Sequence, residues 1–317
     1  MHSWNQPVLD SLRSRLARLP HALLIHGTRG VGKLALAERI AQLLLCESAS
    51  EAARPCGACP GCRWFLGGNH PDFRRLEPES LAQPSGEPTD EEQISSTGRR
   101  AKPSIEIKID QVRELADFLN VGSHRGRLRV ALVHPAEDMN VHAANALLKG
   151  LEEPPAAAVF LLVSHRPASL LPTIRSRCVA LPVPLPPREA ALQWLAEQGI
   201  KDAGRWLAYA GGAPLRAQEY AADADALEGV IRAPGLVEDR ENLERLAEAL
   251  QKIALDRSLA AFGLEPKYGT TGSSTKPGSG HAWLMYARQM GQDRLLCRHP
   301  INPKLFSADL LARIPKG

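Results

Sequence analysis

Four cysteines within seventeen positions have the clearest capacity for chemistry in this chain. They are spaced as Cys46-x9-Cys56-x2-Cys59-x2-Cys62, with turn-forming proline and glycine residues between them. Four thiolates fill the tetrahedral shell of a structural Zn²⁺ and leave no coordination position for a substrate. We therefore expect a structural zinc module, which closes a loop too polar to fold around a core of its own. The same ligands could hold an iron-sulfur cluster, although nothing else in the sequence suggests electron transfer.

A second group of residues has the spacing of a phosphate-binding loop. The motif G-x-x-x-x-G-K is matched by Gly27-Thr28-Arg29-Gly30-Val31-Gly32-Lys33. In such a loop Gly27, Gly30 and Gly32 let backbone amides surround phosphates, and Lys33 reaches the outer ones. Leu34 follows where the motif has the Ser or Thr that holds Mg²⁺, so the loop is degenerate. We expect weak nucleotide binding or none, and a glycine-rich turn without a ligand is the alternative.

The acidic pair that an ATPase needs at the end of a later strand is also missing. The strand predicted at residues 129–133 is followed by His134-Pro135, and neither residue replaces a carboxylate toward a hard metal ion. Glu137 and Asp138 follow in the next turn, and it stays open whether one of them takes over. The sequence thus predicts no intrinsic ATP hydrolysis.

The elements that must position these residues alternate between short apolar strands and helices. Strands are predicted near residues 21–26, 72–76, 128–133, 159–163 and 179–181, and helices near 7–19, 33–45, 111–120 and 143–151, with Asp110 as an N-cap. This alternation predicts an α/β module with a parallel sheet covered by helices on both faces. Strand patterns end at the proline-rich segment 181–187, beyond which we expect only helices.

We expect three domains. Residues 1–182 form the phosphate-loop module, with the zinc module at 46–62 and a flexible insertion at 77–103 that is rich in Pro, Ser and Gly. Residues 183–222 form a small helical lid, and residues 223–317 form an all-α domain. A polar tract at 269–280 is expected as a loop between two helices of that domain.

Two further motifs resemble the clamp-loader branch of the AAA+ family. They are Asn145-Ala146-Leu147-Leu148-Lys149-Gly150-Leu151-Glu152-Glu153-Pro154-Pro155 and Ser176-Arg177-Cys178. The resemblance covers roughly residues 1–217, and beyond it only the helical character and the segment 299–305 are suggestive. Members that hydrolyse ATP carry Asp-Glu at His134-Pro135 and Ser or Thr at Leu34. The departures therefore resemble the non-hydrolysing members.

The resemblance implies a non-hydrolysing subunit of the DNA polymerase III clamp loader, which assists the loading of a sliding clamp onto primed DNA. It implies that Arg177 acts in trans as an arginine finger on the ATP of an adjoining subunit, because a guanidinium stabilises the charge that phosphoryl transfer spreads over the γ-phosphate. Implied partners are the gamma or tau subunits, the delta subunit, the clamp and primer-template DNA. The resemblance also implies a hetero-oligomeric ring whose subunits join through the all-α domain at 223–317. Ser164 lies where the family has a phosphate sensor, and Arg216 where a lid arginine approaches nucleotide.

Composition permits this function without requiring it. The 317 residues carry a formal charge of +4 and 44% hydrophobic residues, which suits two or three globular domains. The longest apolar runs are too short to span a bilayer, so a cytoplasmic location is expected. Two rival functions are an active ATPase of the gamma or tau type and a zinc-module DNA-binding protein. The second is disfavoured because the cysteine cluster lacks the basic and aromatic residues of a nucleic-acid reader.

Overall fold

The computed structural model describes residues 1–82, 103–121, 128–270, 279–297 and 301–315. Most of the predicted insertion at 77–103 and of the tract at 269–280 therefore lies outside the described residues. The chain divides into two compact units, residues 1–185 and 186–317. Among the described residues, no helix combines the length and apolar character that crossing a membrane requires.

A parallel sheet forms the centre of the first unit. Its described strands are β1 (Ala22–His26), β2 (Phe73–Leu76), β3 (Arg129–Val133), β4 (Ala158–Ser164) and β5 (Val179–Pro182). They lie in the order β2-β3-β4-β1-β5, and every neighbouring pair is parallel. The residues of β3 and β4 are buried throughout, as expected for strands that are covered on both faces.

Six α-helices of the first unit are described. They are α1 (Gln6–Arg13), α2 (Lys33–Leu45), α3 (Pro60–Leu66), α4 (Ile109–Asn120), α5 (Val141–Glu152) and α6 (Pro172–Arg177). A core of side chains from α4, α5 and the strands includes Leu115, Leu147 and Phe160. The predicted α/β fold with a parallel sheet and helices is confirmed.

Two details of the first unit differ from prediction. The predicted N-terminal helix at 7–19 ends at Arg13 and is followed by a separate 3-10 turn, Leu16–Arg18. The N-cap of α4 is Lys108, not Asp110, because the Gln111 side chain accepts a hydrogen bond of 2.8 Å from the Lys108 backbone N–H and starts the helix earlier. Asp110 then lies in the first turn, where an acidic side chain favours the helix N-terminus.

The sheet register sets which loops lie together. His26 at the end of β1 is opposite Ser164 at the end of β4, and Val133 at the end of β3 is opposite Leu162. The carboxyl ends of these three parallel strands therefore share one edge of the sheet. Ligands of open α/β sheets bind at this edge, next to the point where the strand order reverses.

The second unit contains only helices among its described residues. They are α7 (Arg188–Glu197), α8 (Ala203–Tyr209), α9 (Pro214–Ala222), α10 (Ala224–Arg232), α11 (Arg240–Ala261), α12 (Gly280–Leu296) and α13 (Pro303–Ala312). One hydrophobic cluster includes Leu195, Trp206 and Leu227, and another includes Leu246 and Trp283. The helical C-terminal region is confirmed, and the division into lid and subunit-joining domain stays a prediction.

Candidate functional site

The phosphate-binding loop follows β1 directly and leads into α2 without a break. Gly27, Gly30 and Gly32 have φ angles of 154°, 88° and 83°, a range that side chains rarely adopt. A Cβ atom on Gly27 would lie 2.4 Å from the backbone oxygen of Val183. These glycines are therefore needed for the shape of the loop itself.

The side chain of Lys33 lies inside the loop and is only 2% exposed. Its ammonium donates hydrogen bonds of 2.8 Å to the Gly27 carbonyl and 2.7 Å to the Thr28 carbonyl. Burial lowers the pKa of Lys33 to about 8, although the Glu137 carboxylate partly offsets that effect. The lysine is thus at the position that the motif predicts, with loop carbonyls as its acceptors.

The N-terminal segment supports the outer side of this loop. Trp4 Nε1 donates to the Val31 carbonyl at 3.1 Å, and Asn5 Nδ2 donates to the same oxygen at 3.0 Å. Asn5 is 1% exposed, and the His2 ring stacks on Trp4 with centroids 4.5 Å apart. This support was not predicted from the sequence, because Trp4 and Asn5 belong to no recognised motif.

The edge of the sheet where an ATPase carries its acidic pair holds two histidines. His134 follows β3 and His165 follows β4, and their rings meet edge to face with centroids 5.4 Å apart. Burial, reinforced by nearby cations that include Lys33, lowers the pKa of His134 to about 4 and that of His165 to about 2. Both rings are neutral near pH 7, so neither adds charge beside the loop.

Glu137 is the carboxylate that tertiary structure brings toward the loop. Its side chain is 2% exposed, and Oε1 accepts a hydrogen bond of 2.9 Å from the His165 backbone N–H. Arg166 Nε lies 4.0 Å from the same oxygen. Glu137 is therefore buried close to the loop, which supports the alternative that it provides the missing acidic group. Asp138 lies 3.8 Å from Arg166 Nη2.

Ser164 and Arg216 both have partners in their own units. Ser164 is fully buried, and its hydroxyl accepts a hydrogen bond of 3.1 Å from the Arg166 backbone N–H. The Arg216 guanidinium lies 2.6 Å from Glu219 and 3.1 Å from Glu248 within the second unit. The proposed roles of Ser164 and Arg216 toward nucleotide stay predictions.

The four clustered cysteines come together at the C-terminus of α2 and the N-terminus of α3. Their sulfur atoms all lie within 4.8 Å of one another. Cys46 Sγ is 3.6 Å from Cys56 Sγ and 3.9 Å from Cys59 Sγ, close to the roughly 3.8 Å between thiolates that share a tetrahedral zinc. The cluster can therefore hold a metal ion, as the spacing predicts.

Backbone amides point at these sulfur atoms. The N–H groups of Glu47 and Cys62 both lie 3.3 Å from Cys59 Sγ. Amides of Ala58 and Cys59 lower the pKa of the Cys56 thiol to about 6, whereas burial raises the pKa of Cys62 to about 12. A divalent cation suits this site because coordination deprotonates all four thiols, including those of the two buried cysteines, Cys46 and Cys62.

Arg177 lies at the opposite edge of the sheet from the phosphate loop. It ends α6 just before β5, and β5 runs parallel to β1, so residue 177 lies beside the amino end of β1. The four residues of β5 separate the two edges by about 13 Å at 3.3 Å per residue. Arg177 Nη2 lies 2.6 Å from Glu152 Oε1, a contact that sequence spacing did not reveal.

Comparison with known proteins gives the same family as the motifs. The family described as "DNA polymerase III, delta subunit" matches residues 5–186 of the 317. DNA polymerase III subunit delta' of Pseudomonas aeruginosa is 42% identical over 222 residues, 69% of this chain and 60% of the relative. The delta' subunit of Escherichia coli K12 is 34% identical over 199 residues, 62% of this chain and 53% of the relative.

A subunit of another type is also similar. DNA polymerase III subunit tau of Salmonella typhimurium is 35% identical over 164 residues, which are 52% of this chain and 22% of the relative. The matched part of this chain thus spans between about half and three fifths of the two delta' relatives. Because the family match covers more than half of the residues, the chain belongs to the DNA polymerase III delta subunit family.

Proposed function

We propose that this chain is a clamp-loader subunit of DNA polymerase III that hydrolyses no ATP itself and provides Arg177 to the ATP of a neighbouring subunit. The similarity to relatives named delta' supports the proposal that the chain is a subunit of this type. The similarity to a relative named tau supports the proposal that the neighbouring, ATP-binding subunit has a related sequence. Further partners in this proposal are the delta subunit, the sliding clamp and primed DNA. Leu34 and His134-Pro135 account for the absence of hydrolysis, since they leave no hydroxyl or strand-end carboxylate to hold Mg²⁺.

One observation carries the in-trans assignment. Arg177 and the loop with Lys33 lie at opposite edges of the same sheet, so this arginine does not serve the phosphate loop of its own chain. An arginine finger stabilises negative charge on the transferred phosphoryl group and therefore must contact nucleotide. A nucleotide bound by an adjoining subunit meets that requirement, because the Arg177 side chain is half-buried and still reachable at the surface.

Reconstitution of the complex tests whether the chain is a clamp-loader subunit. Mixed with separately expressed tau and delta subunits, the chain should enter one complex in gel filtration, and that complex should load the sliding clamp onto primed DNA when ATP is added. A mixture of tau and delta without this chain is the control and should load clamp poorly. Failure of the chain to enter the complex, or loading that does not depend on it, would contradict the proposal.

We further propose that the cysteine cluster holds one structural Zn²⁺, since its four sulfur atoms lie within 4.8 Å of one another and four thiolates are usual ligands of such a site. Elemental analysis of protein purified without chelator should find about one zinc per chain. Cys59→Ser should weaken zinc binding more than about 100-fold, because changes in residues that only support a ligand already cost 10- to 100-fold. Cys178→Ser, which changes a cysteine outside the cluster, should retain the zinc. Iron with inorganic sulfide in place of zinc would overturn this assignment.

The burial of Glu137 favours one second candidate, an active ATPase of the gamma or tau type. We expect no hydrolysis by the isolated chain above background, since a single carboxylate without the Mg²⁺-holding hydroxyl does not complete the site. Steady-state phosphate release should be the same for the wild type, Lys33→Ala and Glu137→Gln. Turnover that survives rigorous purification and disappears in both variants would establish the second candidate.

A further inference from the structure

We infer that Glu152 is a positioning residue for Arg177, holding its guanidinium in place before the nucleotide of a neighbouring subunit arrives. This inference rests on the function proposed above. It concerns a contact that α5 makes with α6, within the first unit. Glu152 is the last residue of α5, and Arg177 is the last residue of α6.

Three groups on the same chain fix the Arg177 guanidinium. Nη2 forms an ion pair with Glu152, with 2.6 Å between Nη2 and Oε1. Nη1 donates to the Thr173 carbonyl at 2.9 Å and lies 3.4 Å from Ser176 Oγ. The two nitrogens are thus held from different sides, which restricts rotation of the planar group as well as its position.

Helix packing keeps Glu152 at the correct edge of the sheet. The carbonyl of Leu151 lies 3.1 Å from His21 Nε2, and His21 immediately precedes β1. Leu151 itself is 2% exposed, so the C-terminal turn of α5 is fixed by burial as well as by this contact. The carboxylate therefore projects from a rigid element, whereas its partner arginine lies on a short helix of six residues.

The expected benefit is a lower entropy cost when the arginine meets phosphate. A free arginine side chain loses rotamer freedom when it becomes fixed, and part of that entropy cost is already met in the folded chain. Glu152 and Arg177 are 48% and 34% exposed, so water screens their attraction. The ion pair with Glu152 therefore favours one position of the Arg177 side chain but is weak enough to break when phosphate oxygens approach.

The test is a double-mutant cycle in the reconstituted complex with tau, delta, clamp and primed DNA. Glu152→Gln should lower kcat at the ATP site that Arg177 serves about threefold to fivefold with KM unchanged, in line with the strength of exposed ion pairs. Glu153→Gln removes the adjacent exposed carboxylate and should leave kcat as in the wild type. Glu152→Asp should give an intermediate rate. In an Arg177→Ala background, Glu152→Gln should have no further effect.

The other possible results distinguish an error in the proposed arginine finger from an error in the positioning role. If Arg177→Ala leaves hydrolysis unchanged in an assembled complex, the proposed arginine finger is wrong and the positioning role falls with it. If Arg177→Ala lowers hydrolysis while Glu152→Gln equals Glu153→Gln, only the positioning role is wrong. An equal loss from Glu152→Gln with and without Arg177, or a faster rate in Glu152→Gln, would also overturn it. Gel filtration of every variant confirms that the complex is present.

Discussion

Arg177→Ala is expected to abolish ATP hydrolysis at the site that this arginine serves, while leaving assembly of the complex nearly intact. Arginine fingers of GTPase systems contribute about 10³- to 10⁵-fold to the rate, so ATP hydrolysis at the site that Arg177 contacts should become undetectable. Turnover of the whole complex should then fall by the share that this site contributes. Assembly should persist because one half-exposed side chain contributes little to a large interface.

Two further variants separate charge from geometry. Arg177→Lys should restore little activity, since an ammonium does not reproduce the planar fork that binds phosphate oxygens. Arg175→Ala removes another arginine of α6, one whose side chain is exposed, and should leave hydrolysis unchanged. The measurement is steady-state phosphate release by the reconstituted complex with clamp and primed DNA. Unchanged turnover in an assembled Arg177→Ala complex would refute the in-trans mechanism.

Glu248→Gln is expected to destabilise the second unit by about 3–5 kcal/mol, the usual effect of removing one partner from a buried ion pair. Glu248 is 9% exposed, and its carboxylate lies close to three cations. Its oxygens lie 2.9 Å from Lys252, 3.1 Å from Arg216 and 3.7 Å from Arg294. Glutamine keeps the size of the side chain but leaves these cations without their shared carboxylate.

Aromatic rings around the cluster make rearrangement costly. The Lys252 ammonium lies 3.8 Å from the centre of the Tyr209 ring and 4.4 Å from that of Tyr220. The Tyr220 hydroxyl donates to Glu248 Oε1 and also lies 3.1 Å from Lys252 Nζ. Because Lys252 is enclosed by rings and its own pKa is lowered to about 8 by burial, it depends on Glu248 to remain charged near neutral pH.

The sign of the pH effect follows from the pKa of Glu248. Burial alone would raise it, but Lys252, Arg294 and Arg216 outweigh burial and lower it to about 2, below the ordinary value of 4.5. A carboxyl group with a depressed folded pKa stabilises the fold above pH 4.5, and this stabilisation is lost as the pH falls toward 2. The wild type should lose this contribution in acid, whereas Glu248→Gln lacks it at every pH.

Thermal and urea unfolding followed by circular dichroism measure this effect. Glu248→Gln should lower the melting temperature of the second unit by more than about 10 °C at pH 7. The matched control is Glu219→Gln, since Glu219 also lies 2.6 Å from Arg216 but is 50% exposed, and it should cost less than about 1 kcal/mol. Equal stability of Glu248→Gln and the wild type at pH 7 would show that the cations find other partners.

The sequence by itself determined the features whose chemistry is local. The cysteine spacing predicted a cluster whose sulfur atoms come together, because Cys56, Cys59 and Cys62 are each separated by only two residues in tight turns and have few ways to move apart. The loop from Gly27 to Lys33 and helix α2 were predicted with their bounds, since glycines and the apolar period of a helix act over a few residues. The replacement of the motif's Ser or Thr by Leu34 is visible in the sequence alone.

Tertiary structure decided the contacts between residues far apart in the chain. Register placed Arg177 and the phosphate loop at opposite edges, although both lie next to strands of one sheet. Helix packing selected Glu152 as the partner of Arg177, and the turn after β3 buried Glu137 near Lys33. Sequence patterns report which residues share a face of one element. They do not report which faces of two elements meet, since that is settled by the packing of the whole core.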